Sequence, residues 1–175
     1  MQNQQVKLRP TEKSDLDFLF QFQLDEEAAY LAAFMPKNHT DKEAYREKYN
    51  RFLHDSTINM QTILVDDVLA GSIAKFEIEG DAEITYWLDR RFWRQGVATT
   101  ALQHFLLIEQ TRPLFGRVAF DNVGSQKVLT NCGFLKIGAD TGFANARQAE
   151  IEEFIYRLSE AATMRQSALV EGILL

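Results

Sequence analysis

Glu83 is a charged residue inside an otherwise mostly apolar run, Ala82 to Leu88, that has the length of a strand. A carboxylate in such surroundings suits general-base chemistry, taking a proton from a nucleophile directly or through a water. The run leads into Phe92-Trp93-Arg94-Gln95-Gly96-Val97-Ala98-Thr99, a turn before a helix expected over 95–111. Backbone N–H groups at a helix start lack intrahelical partners, and the helix dipole adds partial positive charge. The backbone of Gln95, Gly96, Val97, Ala98 and Thr99 can therefore hold a phosphate or pyrophosphate without a lysine. An inward-turned Arg94 would add a charge-assisted bond worth about 1–3 kcal/mol. Further on, Asn122 and Ser125 open a second, shorter helix. Each has two available uses, Asn122 as helix cap and ligand, Ser125 as capping-turn residue and proton relay or ligand.

Which phosphate-bearing ligand fits is narrowed by what the turn lacks. No Lys-Ser/Thr pair follows Gly96, so a Walker loop is excluded. Only one glycine is present, so a dinucleotide fingerprint is excluded too. Three segments, in order and spacing, carry a resemblance. They are Ala82-Glu83-Ile84-Thr85-Tyr86-Trp87-Leu88-Asp89 leading into Phe92-Trp93, then Gly96-Val97-Ala98, then Asn122-x-x-Ser125-x-x-x-Leu129-x-x-x-Gly133-Phe134. Together they resemble the GNAT family of N-acetyltransferases, in the branch typified by the ribosomal-protein N-terminal acetyltransferases (RimJ/RimL type). The resemblance spans residues 6–158.

The resemblance implies acetyl-CoA as co-substrate and direct transfer of the acetyl group to a primary amine, either a protein N-terminal α-amine or a small molecule. It implies a seven-stranded mixed sheet splayed between its fourth and fifth strands, with pantetheine lying in the splay. Unpaired strand edges suit that ligand's two amides. The backbone near Trp87 and Leu88 would hold the thioester and stabilise its oxyanion. Glu83 would be the base, with Glu77 and Glu79 as weaker alternatives. The cofactor would meet Trp87, Leu88, Arg94–Thr99, Asn122 and Ser125. Two departures stand out. Arg94 replaces a usual glycine, and Leu129 occupies the position where many members carry a tyrosine acid. A thiol of pKa about 8.5 leaves tolerably as thiolate, so the loss need not abolish turnover. The rival reading is a domain of the same fold that binds coenzyme A as a sensor or scaffold without efficient catalysis.

The elements that must position these residues follow from periodicity. Val6–Arg9 reads as an edge-type strand. Helices follow, one through Leu16, Leu19 and Phe20 and one from Asp41 to about His54, with an irregular stretch over 25–39 between them. A hairpin turns at Asp66-Asp67, and strands are expected at 82–88, 114–120, 134–137 and 151–158. The order β-α-α-β-β-β-α-β-α-β-β is a mixed α/β layer structure, read as one domain over 1–160. Residues 161–175 form a tail with apolar residues at helical spacing, which leaves monomer and homodimer both open.

Composition excludes several classes. Hydrophobic residues make up 46% and charged residues 25% of the 175, an ordinary globular balance. A net charge of −6 argues against general nucleic-acid or anionic-membrane binding. Cys132 is the single cysteine and has no catalytic constellation around it. His39, His54 and His104 lack metal-ligand spacing, so no metal is expected. The N-terminus has no signal-peptide pattern and no apolar run reaches the ~20 residues of a membrane span, which reads as cytoplasmic. Phe34-Met35 and Gly142–Arg147 are expected to wall the acceptor side.

Overall fold

Alternating apolar residues and tight turns build the centre of the molecule. The computed structural model describes residues 4–160. Strands β1 (Val6–Pro10), β2 (Asn59–Val65), β3 (Val68–Ile78) and β4 (Asp81–Leu88) form an antiparallel run. Asp66 and Asp67 make the β2–β3 turn with φ of 49° and 64°, the doubly left-handed geometry that matches strand twist. The remaining strands are β5 (Leu114–Ala119), β6 (Leu135–Ala144) and β7 (Ala149–Leu158). They complete a seven-stranded sheet in the order β1-β2-β3-β4-β5-β7-β6. The mixed α/β class and the strand succession agree with the sequence reading.

Among the described residues, helices cover both faces of the sheet. α4 (Val97–Ile108) and α5 (Val123–Asn131) lie on one, where Val97, Ala101, Leu102 and Phe105 pack on Ile63, Ile73, Ile84 and Leu114. α1 (Leu16–Gln23) and α3 (Lys42–His54) lie on the other, where Leu16, Leu19, Phe20 and Tyr45 meet Met60 and Ala74. Ile73 and Ala74 are neighbours in β3 yet belong to opposite cores, as strand alternation requires.

Three details differ from the sequence expectation. The stretch over 25–39 contains a further helix, α2 (Glu26–Ala32), whose N-cap Asp25 accepts from the Ala28 N–H. α4 is shorter than 95–111 because Glu109 leaves the helix and turns its carboxylate to the Thr111 N–H and the Asn59 amide. β6 and β7 extend well beyond 134–137 and 151–158 into a long hairpin. β6 is an edge strand exposed along most of its length, so burial imprints no alternation on its sequence. The tail over 161–175 lies outside the described residues.

Candidate active site

The site exists because two parallel neighbours part company. β4 and β5 pair at Ala82–Leu114, Glu83–Phe115 and Ile84–Gly116, and then diverge. The Asp89 N–H bonds to the Ala70 carbonyl on β3. By strand alternation the backbone groups of Thr85 and Trp87 also face β3, and those of Tyr86 and Leu88 face the gap. Gly71 on β3 fixes this end of β4, since a Cβ there would collide with the Trp87 carbonyl oxygen. The Trp87 backbone is thus turned away from the gap, while Leu88 meets it and so does Tyr86, which the sequence reading did not single out. The Leu88 carbonyl accepts from the Trp93 indole at 2.9 Å, which anchors the following turn to the strand end.

That turn delivers the helix start. Arg94 has φ of 59°, and Gly96 is the N-cap in the left-handed region (φ 75°), where a side chain would be strained. The first bond of α4 runs from Thr100 N–H to the Gly96 carbonyl. Val97, Ala98 and Thr99 therefore supply the first-turn donors, and no side chain caps them. Arg94, Gln95 and Gly96 are exposed. The Gln95 amide donates to the Arg91 carbonyl, bracing the turn from outside.

Between the diverging strands lies a cleft of about 790 Å³ that reaches both faces of the sheet. Glu83, Trp87, Asn122 and Ser125 all line it, so four sequence-chosen residues meet in one place. Asn122 caps α5 through the Ser125 N–H at 3.1 Å and also donates to the Leu31 carbonyl of α2. Ser125 Oγ lies 2.7 Å from Tyr86 Oη. Leu129 is buried with its methyls against Gly116, so this position is hydrocarbon filling.

On the opposite face, Glu83 is buried and accepts from Arg117 Nε at 3.0 Å. The same guanidinium meets Glu153 at 3.4 Å and Asp140 at 3.9 Å. Burial pushes the Glu153 carboxyl above its ordinary range despite Arg117. Carboxylates outnumber the guanidinium here, which favours a cation nearby. Arg117 and Glu153 were missed in the sequence. Each is a charge in the middle of a strand, the same signal that selected Glu83.

The aromatic wall on this side comes from α3, where Tyr45, Tyr49 and Phe52 pack successively at 4.3 and 5.2 Å. Phe34, Met35 and His39 join it. Of the Gly142–Arg147 stretch, Arg147 is held by Asp121 and lies over the Tyr30 ring at 4.2 Å. Glu77 pairs with Lys75, and Glu79 sits exposed in the β3–β4 turn. Cys132 is buried and burial pushes its thiol up to about 12, so it is no nucleophile. His104 is exposed on α4. No group of metal-ligating side chains occurs among the described residues.

A strand pair that splits around a cleft with carboxylates on one face, and an uncapped helix start shortly after the strand end, together have the shape to seat a phosphate-bearing ligand. The sequence model of the acetyltransferase (GNAT) domain matches residues 5–135, and the chain belongs to that family of N-acetyltransferases. The fold is also similar to spermidine N-acetyltransferase from Vibrio cholerae in complex with CoA and spermine. The TM-score is 0.75 at 20% identity, covering 91% of this chain and 98% of that one. Mycobacterium smegmatis RimJ, in complex with CoA-disulfide, gives a TM-score of 0.73 at 19% identity over 94% of this chain and 88% of that one. No curated protein matches the chain in sequence.

Proposed function

We propose that the chain is an acetyl-CoA-dependent N-acetyltransferase that moves the acetyl group directly from the thioester to a primary amine. The observation that carries this reading is the divergence of β4 and β5 after three residue pairs, which leaves an open strand edge between the α4 start and the Glu83–Arg117–Glu153 cluster. Donors of Val97, Ala98 and Thr99, with Gln95, Gly96 and Arg94, would hold the pyrophosphate. The free edge at Tyr86 and Leu88 would meet the pantetheine amides, with a backbone N–H there stabilising the oxyanion. Trp87, Asn122 and Ser125 complete the walls. Glu83 would take the amine's proton through a water. The residues present fit acetyl-CoA, and a thioester supplies the activated acyl group.

Local acidity and the α3 aromatic wall favour an amine that arrives as an ammonium ion. Small-molecule amines and protein α-amines both fit, and the RimJ/RimL branch remains our assignment from the three sequence segments. We read residues 1–160 as the domain, working in the cytoplasm as monomer or homodimer. No helix among the described residues is long and apolar enough to cross a membrane. A second reading, a coenzyme A sensor or scaffold, is favoured by one observation: Leu129 puts no acid on α5.

Calorimetric titration with acetyl-CoA, with ATP and NAD as controls, followed by a panel of primary amines, tests the proposal. Micromolar acetyl-CoA binding near unit stoichiometry with transfer to at least one amine is expected. Binding without transfer would select the sensor reading, and preference for ATP or NAD would end both.

A further inference from the structure

One proton has no place in the scheme above. As the amine nitrogen bonds to the thioester carbonyl carbon, the C–S bond breaks and its electron pair leaves on sulfur. Leu129 offers no proton. On the α4/α5 side of the sheet, two hydroxyls line the cleft among the described residues, those of Tyr86 and Ser125. Their oxygens are 2.7 Å apart, and Tyr86 Oη also donates to the Ser125 carbonyl at 3.2 Å. This contact crosses from the free part of β4 to the first turn of α5. Tyr86 stands two positions past Ile84, the last β4 residue paired with β5. Its backbone N–H faces the gap, and its phenol stands on the α4/α5 face beside it, where it lines the cleft and bonds Ser125, while Glu83 lies on the other face.

We propose that Tyr86 is the acid of this reaction, its phenol proton passing to the departing thiolate, with Ser125 as its relay. The proposal rests on the transferase reading. The thiolate becomes the free thiol, and the phenol proton is restored in one concerted shift along the hydrogen-bond chain, from solvent water to Ser125 Oγ as Ser125 passes its own proton to Tyr86 Oη, so that no serine alkoxide forms. The amine's proton leaves on the Glu83 side, so one proton is gained and one released per turnover. Burial holds the Tyr86 phenol above its ordinary range, which keeps it protonated wherever the amine is free to attack.

The test is Tyr86→Phe, which keeps the ring and removes the hydroxyl. With a responsive amine, kcat is expected to fall about 10–100-fold while KM for acetyl-CoA changes little, a modest acid effect because thiolates leave readily. A readout independent of turnover is the affinity for free CoA across the thiol pKa of about 8.5. A phenol donor favours the bound thiolate, so wild-type affinity should rise with pH relative to a CoA analogue lacking the sulfur, and Tyr86→Phe should flatten that rise. Unchanged kcat and unchanged CoA pH dependence in a folded Tyr86→Phe protein overturn the role of Tyr86 and leave the transferase reading standing. A wild type that binds acetyl-CoA but acetylates no amine overturns the transferase reading, and CoA pH dependence then still decides whether Tyr86 meets the sulfur. Should Tyr86→Phe fail to fold, the wild type alone suffices, because equal pH dependence for CoA and the sulfur-free analogue overturns the proposal. Ser125→Ala should show a smaller loss of kcat than Tyr86→Phe.

Discussion

Glu83, the proposed base, does not stand alone. Its carboxylate shares Arg117 with Glu153, so the guanidinium both orients it and competes for its lone pairs. Taking a proton from an ammonium or its water would relax that competition as Arg117 leans toward Glu153 and Asp140. Glu83→Gln keeps the shape and removes the charge. We expect kcat/KM to fall about 10²–10⁴-fold. Measured across pH 6–9 against a panel of amines, an unchanged profile would remove Glu83 from the base role. Arg117 and Glu153 escaped the sequence reading for a physical reason. Their meeting with Glu83 depends on β5 pairing antiparallel with β7, Ala119 opposite Glu153, a contact no local pattern encodes.

Among the elements, β4 carries most of the site, and β3 sets its position. Gly71→Ala would force the Trp87 peptide away from β3 and shift the edge that faces the gap. Overpacking of this kind costs about 1–3 kcal/mol, measurable by urea unfolding, and acetyl-CoA affinity should fall with it. Gly138→Ala on β6, where nothing lies within 4 Å of the added methyl, is the control and should change stability by less than about 0.5 kcal/mol. The loop and α4 were legible because a glycine, a turn and an apolar stripe occur in one short segment. The hairpin at Asp66-Asp67 was legible for similar reasons. α2 was not, because its seven residues bury only Ala28 and Ala29 and leave almost no periodic signal. The orientation of Trp87 and Tyr86 about the gap was also hidden, since alternation gives two faces but not which neighbour each peptide addresses.

At the scale of the whole molecule, a polar network ties the first strands to the first helix. Asp15 is buried and takes a fork from Arg9 at 2.7 and 2.8 Å, the Glu12 N–H and the Thr62 hydroxyl. Burial alone would raise its pKa, but these donors outweigh it and hold the carboxyl below the ordinary range. A depressed folded pKa gives stability that is present above the unfolded value, near 3.9, and lost as pH falls through the folded one. Asp15→Asn should therefore cost about 1–3 kcal/mol at neutral pH, with the gap to wild type closing below about pH 4 in urea titrations. The segment over 25–39 is fastened differently, by its ends and edges. Arg90 grips Asp25 and Glu27, Asn122 holds the Leu31 carbonyl, Ala146 N–H bonds to the Ala33 carbonyl, Asn145 reaches the Met35 carbonyl, and Gln23 takes that of His39. Most of these clasps grip main chain or the residues at its start. Met35 is buried and Phe34 packs against Gly142 and the Ala33–Ala119–Ala144 cluster, so of the three side chains this mount carries into the cleft the half-exposed His39 is the one least tied to a core. Under the proposed function, a designer, or natural drift, could retune amine preference at that one position first, leaving the coenzyme half of the machine undisturbed.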